Sequence, residues 1–171
     1  SGEILLVVQN TTASDVTAPD FASTSTANQT LNGDSGNNTL VGGAGNDTYS
    51  IGASASFHED VIHDSEGSDD QVVYYGNSDL QINTFSSNNG IDVIDANDQQ
   101  IVGDSQANEL DFRNVTFASQ NQVIDAAGGN DTVQGSANAD DIRGNGGNVT
   151  LSGHGGNDIL TGGDGDDNLY G

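Results

Sequence analysis

Residues 153–170 read GHGGNDILT followed by GGDGDDNLY, two blocks of nine in one pattern. Leu160 and Leu169 hold the eighth position of each block, and Asp158 and Asp167 hold the sixth. Counting back in nines gives GNGGNVTLS (144–152), GSANADDIR (135–143) and AAGGNDTVQ (126–134) without a slipped residue. Position eight is then always aliphatic: Val133, Ile142, Leu151, Leu160 and Leu169. Position six is Asp131, Asp140, Val149, Asp158 and Asp167. A fixed short period of this kind means stacked repeats rather than a linker.

The pattern thins out upstream. FASQNQVID (117–125) keeps Ile124 at position eight but has lost the glycines. IDANDQQIV (94–102) and GDSQANELD (103–111) keep the period with Ile101 and Leu110, with Gln99 and Asn108 at position six. Between these tracts Phe112 to Thr116 breaks the phase, and reads as an insertion between coils. A second tract lies near the start: TSTANQTLN (24–32), GDSGNNTLV (33–41) and GGAGNDTYS (42–50).

The nine-residue unit has a mechanical reading. Its last three residues, polar–aliphatic–polar, form a short strand whose middle side chain faces inward. The six before them must reverse the chain. Glycines at positions one, two and four are expected to supply φ > 0 and to let neighbouring loops approach closely. Two units complete one coil, so repeats n and n+2 lie over each other. The predicted fold is all-β: a right-handed parallel β-roll or β-helix solenoid.

Composition narrows the chemistry. The net charge is −24, with 26 carboxylates against Arg113 and Arg143 and no lysine. Self-repulsion on this scale calls for disorder, salt or bound cations. It disfavours nucleic acid, because phosphate binding needs Lys and Arg. There is no cysteine, so disulfides and thiolate metal sites are excluded. The longest apolar run, Ile4 to Val8, is far too short to span a bilayer, so no membrane insertion is expected. No signal peptide is visible, Ser1-Gly2 reads as a cloning remnant, and the last repeat stops at its first residue, as in a monomeric fragment of a longer protein.

One aliphatic side chain per nine residues cannot balance the entropy of ordering nine backbones. A cation between the loops would supply what is missing. Calcium suits an all-oxygen site of carbonyls and carboxylates with six to eight ligands, whereas zinc prefers His or Cys and magnesium resists dehydration. The plain alternative is that such aspartates only cap turns through local hydrogen bonds. The phased run at 131, 140, 158 and 167 weighs against it.

The blocks GGAGNDTYS, GHGGNDILT and GGDGDDNLY resemble the repeats-in-toxin (RTX), hemolysin-type calcium-binding nonapeptide, glycine-glycine-x-glycine-x-aspartate-x-aliphatic-x. The good matches cover about residues 33–50 and 126–171, with weaker echoes over 24–32 and 94–111. The resemblance implies a parallel β-roll, several calcium ions and type I secretion, with folding on contact with extracellular calcium. It places the chain outside the cell or at a bacterial surface. Carried over residue by residue, it makes Asp140 and Asp158 the best pair for one ion. Asp131 and Asp167 each face the block carrying Val149 and are expected to bind more weakly. Asp47 is a ligand whose partner is out of register; SEGSDDQVV (65–73) supplies one through Asp70, with Val72 inward. Asn38 offers an uncharged amide oxygen. Backbone carbonyls of Gly42, Gly45, Gly144, Gly153, Gly155 and Gly162, together with Asp164, complete the candidate set.

Four segments are expected: an N-terminal strand and linker (1–23), a cap or the end of an upstream domain; a short repeat tract (24–50); irregular β-helix coils (51–125); and a regular roll (126–171). The leading function is a calcium-dependent folding module of a larger secreted bacterial protein, without catalysis of its own. Two other readings stay open. One is a carbohydrate-binding or polysaccharide-processing module, with Tyr74, Tyr75, Phe85, Phe112 and Phe117 as contacts and extracellular polysaccharide as partner. Aromatic residues are only 5% of the chain and tryptophan is absent, so such a platform would be sparse, and Phe112 and Phe117 suit a core better. The other is an adhesin segment. His58, His63 and His154 share no spacing, and consecutive His63-Asp64-Ser65 cannot adopt triad geometry.

Overall fold

The structure, a computed structural model, describes residues 26–33, 39–52, 61–64, 66–120 and 122–171. The strand expected at Ile4 to Gln9, the candidate ligand Asn38 and His58 lie outside these residues.

Every described element is a strand, and every pairing is parallel. The coil begins with two sides. β1 (Thr30–Gly33) and β3 (Thr48–Ile51) stack in one sheet, and β2 (Thr39–Val41) and β4 (Val61–His63) in another. β5 (Gln71–Tyr74) continues the first sheet, after which the coil gains a third side through β6 (Leu80–Gln81) and β7 (Thr84–Phe85). The next strands repeat that triangle: β8 (Val93–Asp95), β9 (Ile101–Val102) and β10 (Glu109–Asp111), then β11 (Thr116–Phe117), β12 (Gln122–Asp125) and β13 (Thr132–Gln134). Finally β14 (Asp140–Arg143), β15 (Thr150–Ser152), β16 (Ile159–Thr161) and β17 (Asn168–Tyr170) return to two sides.

Register follows the aliphatic position eight. Ile142 pairs with Leu160, and Leu151 with Leu169, a step of 18 residues that puts repeat n over n+2. In the triangular part Leu110 pairs with Val133, a step of 23 residues. The extra residues are Phe112 to Thr116. They form the corner that leads from β10, the last side of one triangle, to β11, the first side of the next, and Thr116 already belongs to β11. The Val115 N–H donates to the Phe112 carbonyl at 2.9 Å, closing that corner. Phe112 and Val115 point inward, at 0% and 3% exposure, so an apolar corner replaces a glycine-rich one.

The core is one continuous column. Tyr49, Val72, Ile94 and Phe117 line one face, Leu80, Ile101, Ile124 and Ile142 a second, and Phe85, Leu110, Val133 and Leu151 a third. Phe112 stacks on Phe85 at 4.9 Å between ring centroids and meets Phe117 edge-on at 5.4 Å. In the last coil cover thins: Leu160 is half-buried and Leu169 is 46% exposed.

The loops correct one expectation. Positive φ falls at positions two and four of the block, as at Asn145 and Gly147 (62° and 93°), and not at position one. A Cβ on Gly147 would also strike the carbonyl of Gly129 in the coil before it. Position two tolerates Ala127, Asn145 and His154 in the left-handed region, at φ of 62–68°. Position one is glycine for room: at Gly135, Gly153 and Gly162 a Cβ would press on the carboxylate of the same block's aspartate.

Candidate metal centre

Each position-six residue stands at the corner where a strand begins, so stacking brings these side chains into columns. Their hydrogen bonds run in one sense. Oδ1 of Asp158 accepts the Asp140 N–H at 3.0 Å, and Oδ1 of Asp167 accepts the Val149 N–H at 3.1 Å. Asp131 accepts from Asn108 at 2.9 Å, Asp47 from Gln29 at 2.7 Å, Asp70 from Asp47 at 2.6 Å, and Asp92 from Asp70 at 2.9 Å. In each pair the carboxylate comes from the later coil and the amide from the earlier one.

The densest point is at the first triangular coil. Asp70 stacks on Asp47, the two being 2% and 0% exposed, while Val72 pairs with Tyr49 and faces inward. Asp64, half-buried in the turn after β4, completes a group of three carboxylates. One oxygen from each lies within 4.8 Å of the others. Tyr49 donates its hydroxyl to Asp64 Oδ2 at 2.6 Å. Asp47 Oδ2, Tyr49 Oη and Asp64 Oδ2 converge over Gly42, where a Cβ would collide with all three. Asp47 Oδ2 is buried and has no hydrogen-bond partner.

Electrostatics at this point are unfavourable to three bare charges. At an effective dielectric of about 20, each pair at this separation repels by about 3–4 kcal/mol. Burial raises the Asp70 carboxyl to about 6, with the charges of Asp64, Asp47 and Asp92 adding to it and the Asp47 N–H opposing. Burial likewise raises Asp47. Burial and the bond to Asp64 hold the Tyr49 phenol well above its usual range, so it stays a donor. Arg113 and Arg143 are the chain's only basic residues besides histidine. They pair with Asp111 at 2.7 Å and Asp141 at 2.6 Å, not with these columns.

In the roll, Asp140 and Asp158 are brought together. Burial raises Asp140, Ser136 lowers it by hydrogen bonding, and the Asp158 charge raises it further. Ser136 donates its N–H to Asp140 Oδ2 at 2.7 Å. Asp131 and Asp167 are not brought together, because Val149 lies between them, 1% exposed. Asp131 instead reaches back to Asn108; its Oδ2 is buried without a partner, and burial raises its carboxyl. The loop carbonyls are unevenly placed. Gly42 O accepts Gln29 Nε2 at 2.6 Å and Gly144 O accepts the Gly146 N–H at 2.9 Å. Gly45 O faces Gly67, Gly153 O faces Gly135, and Gly162 O faces Gly144. Gly155 is half-buried, and Asp164 is exposed on the outer loop ladder.

Asp64 and Asp92 were not singled out by the nine-residue period, which placed Tyr49 only as an inward side chain at position eight. Asp64 lies off that period altogether. Asp92 carries a readable signal, since it precedes its strand as Asp47 and Asp70 precede theirs. Among the aromatic contacts considered for carbohydrate, Tyr74, Phe85, Phe112 and Phe117 are buried, and only Tyr75 is open, at 63%.

The residues present fit a hard cation. A carboxylate only accepts, so once Oδ1 has capped an amide, Oδ2 needs a donor or an ion. Asp47 and Asp131 bury that second oxygen with neither. The donor set is all oxygen, which selects calcium over zinc or copper. No curated protein and no solved structure matches the chain. The profile of the RTX calcium-binding nonapeptide repeat does match, over residues 23–53, 119–151 and 150–171. These segments are repeats of the RTX calcium-binding family, and here they lie in one parallel solenoid.

Proposed function

We propose that this chain is a calcium-dependent folding module of a larger secreted bacterial protein, with Asp47, Asp70, Asp131, Asp140, Asp158 and Asp167 as its carboxylate ligands. The observation that carries the reading is the buried, unpartnered second oxygen of Asp47 and Asp131 in columns with no basic side chain. An ion bridging successive loops would satisfy such oxygens and cancel the repulsion within a column. The family supports secretion through a type I channel, with calcium outside the cell as the trigger for folding. The module's work is structural: it turns a flexible acidic chain into a rigid rod when calcium is present. With four of five candidate aromatic contacts in the core, little favours a carbohydrate platform.

The test is calorimetric titration of calcium into Asp140→Ala, Asp158→Ala and the double variant. Both single variants are expected to lose the same site, of Kd on the order of 10⁻⁴–10⁻³ M. At about 100 times such a constant, one site stabilises the fold by about 2.7 kcal/mol. The double variant should lose scarcely more, because ligands of one ion are not additive. Additive losses would show that the two loops hold separate ions.

A further inference from the structure

Asp64 belongs to no repeat. It lies outside the matched segments, which end at residue 53 and resume at 119. Yet its carboxylate stands with those of Asp47 and Asp70, all three oxygens within 4.8 Å. A cluster of acids alone would be a solvated surface feature. Here Asp47 is fully buried and its free oxygen points to the spot over Gly42 that Asp64 Oδ2 shares.

We propose that Asp64 is a ligand in a three-carboxylate cation site with Asp47 and Asp70, and that Tyr49 positions it. This rests on the calcium reading of Asp47 and Asp70, and extends it to a residue that the repeat pattern does not assign. Its donors come from three places in the chain: the loop before β3, the turn after β4 and the loop before β5. One ion there clamps the short N-terminal repeat tract onto the first triangular coil. Asp64 is aimed by its own surroundings. Its Oδ1 accepts the Glu66 N–H at 3.3 Å, and its Oδ2 is held by the Tyr49 hydroxyl. Tyr49 is itself fixed, being wholly buried in β3. Three carboxylates against the two of Asp140 and Asp158 make this the tighter of the two sites, since ligand charge sets affinity at calcium sites.

Terbium provides the probe, as a trivalent ion for oxygen sites whose emission is excited through a nearby tyrosine. The chain has no tryptophan and only four tyrosines, so the signal has few sources. In the intact chain the first equivalent of terbium should bring sensitised emission that calcium displaces. Asp64→Asn, which keeps an acceptor for Tyr49, should weaken that first equivalent by about tenfold or more. Calorimetric calcium binding at the Asp140–Asp158 site should be unchanged in that variant. Tyr49→Phe should abolish most of the first-equivalent emission, while calcium affinity measured by calorimetry falls only about threefold. An unchanged first equivalent in Asp64→Asn, with the later sites intact, would overturn the role of Asp64 alone. Emission persisting in Tyr49→Phe would place the ion elsewhere and overturn the site. Absence of saturable binding of either ion to the intact chain would overturn the calcium reading, and this site with it.

Discussion

The triangular middle and the two-sided C-terminal roll are continuous in one solenoid, yet they hold their corners differently. At the corners leading to β9, β10 and β12, position six carries the amides Gln99, Asn108 and Gln122. Gln122 donates to the Gln99 carbonyl at 2.9 Å, and Asn108 both accepts the Asp104 N–H and donates to its carboxylate, each at 3.1 Å. An amide offers donor and acceptor, so such a corner satisfies itself. In the roll, position six carries Asp140, Asp158 and Asp167, which only accept, and Val149 as the exception. The cores differ to match. The middle packs Phe85, Phe112 and Phe117 with Ile82 and Ile91 between three walls, while the roll has one aliphatic residue per strand. Amide corners satisfy themselves, while the carboxylate corners, those of Asp47, Asp70 and Asp131 as well as those of the roll, are built to take an ion.

Calcium removal should break this comparison open most visibly. In excess chelator, amide hydrogen exchange is expected to show β14–β17 losing protection completely while β8–β12 keep a measurable part of theirs. Calcium should restore both, and magnesium at equal concentration should not. Uniform loss across the two regions would mean that the aromatic core does not stand without the ions.

Phe112→Ala tests the same contrast from the other side. It empties a fully buried site stacked on Phe85, and should cost about 3–5 kcal/mol. Denaturant melts with and without calcium should give the same loss, since no proposed ligand touches this ring. A loss that vanishes in calcium would tie the middle to the ions after all.

Acid should have the smallest effect, and of opposite sign to the usual acid unfolding. Asp70 has a folded-state value of about 6, above its unfolded value of 3.8, so protonation favours the fold. Its charge therefore opposes folding at neutral pH, and that opposition fades as pH falls from about 6 towards 4. In calcium-free protein the gain should be at most about 3 kcal/mol. It should be missing from Asp70→Asn, which is neutral throughout. Far-UV spectra recorded in chelator from pH 7 to pH 5 would read it; an identical response from the variant would exclude Asp70 as the source.

Much of this was readable from residues 126–171, because the nine-residue unit writes its constraints locally. Gly147 must be glycine for its own φ and for the coil before it, and Leu151 must be apolar for its own strand. The stacking of Asp70 on Asp47 was readable too, from Val72 standing two residues after Asp70 as Tyr49 does after Asp47. The third wall was not. It opens with β6 and β7, and where it is repeated an apolar corner, Phe112 to Val115, replaces a polar one, which in sequence looks like a lost phase. Asp64 was equally silent, since its place beside Asp47 is set by the fold of β4 against β2 and not by any spacing. Position one shows a subtler limit: glycine there answers to a neighbouring carboxylate rather than to a backbone angle, and composition alone cannot tell the two apart.

The one-way sense of the aspartate bonds has a consequence for symmetry. In every capped pair a later coil's carboxylate reaches an earlier coil's amide. A coil thus has two unlike faces, one presenting acceptors and the other donors. Coils laid head to tail match acceptor to donor at each step. Coils laid head to head would set carboxylate against carboxylate, so a two-fold join between stacked ends is disfavoured and a head-to-tail one is not. The rod has a polarity written in its side chains, separate from the direction of its strands.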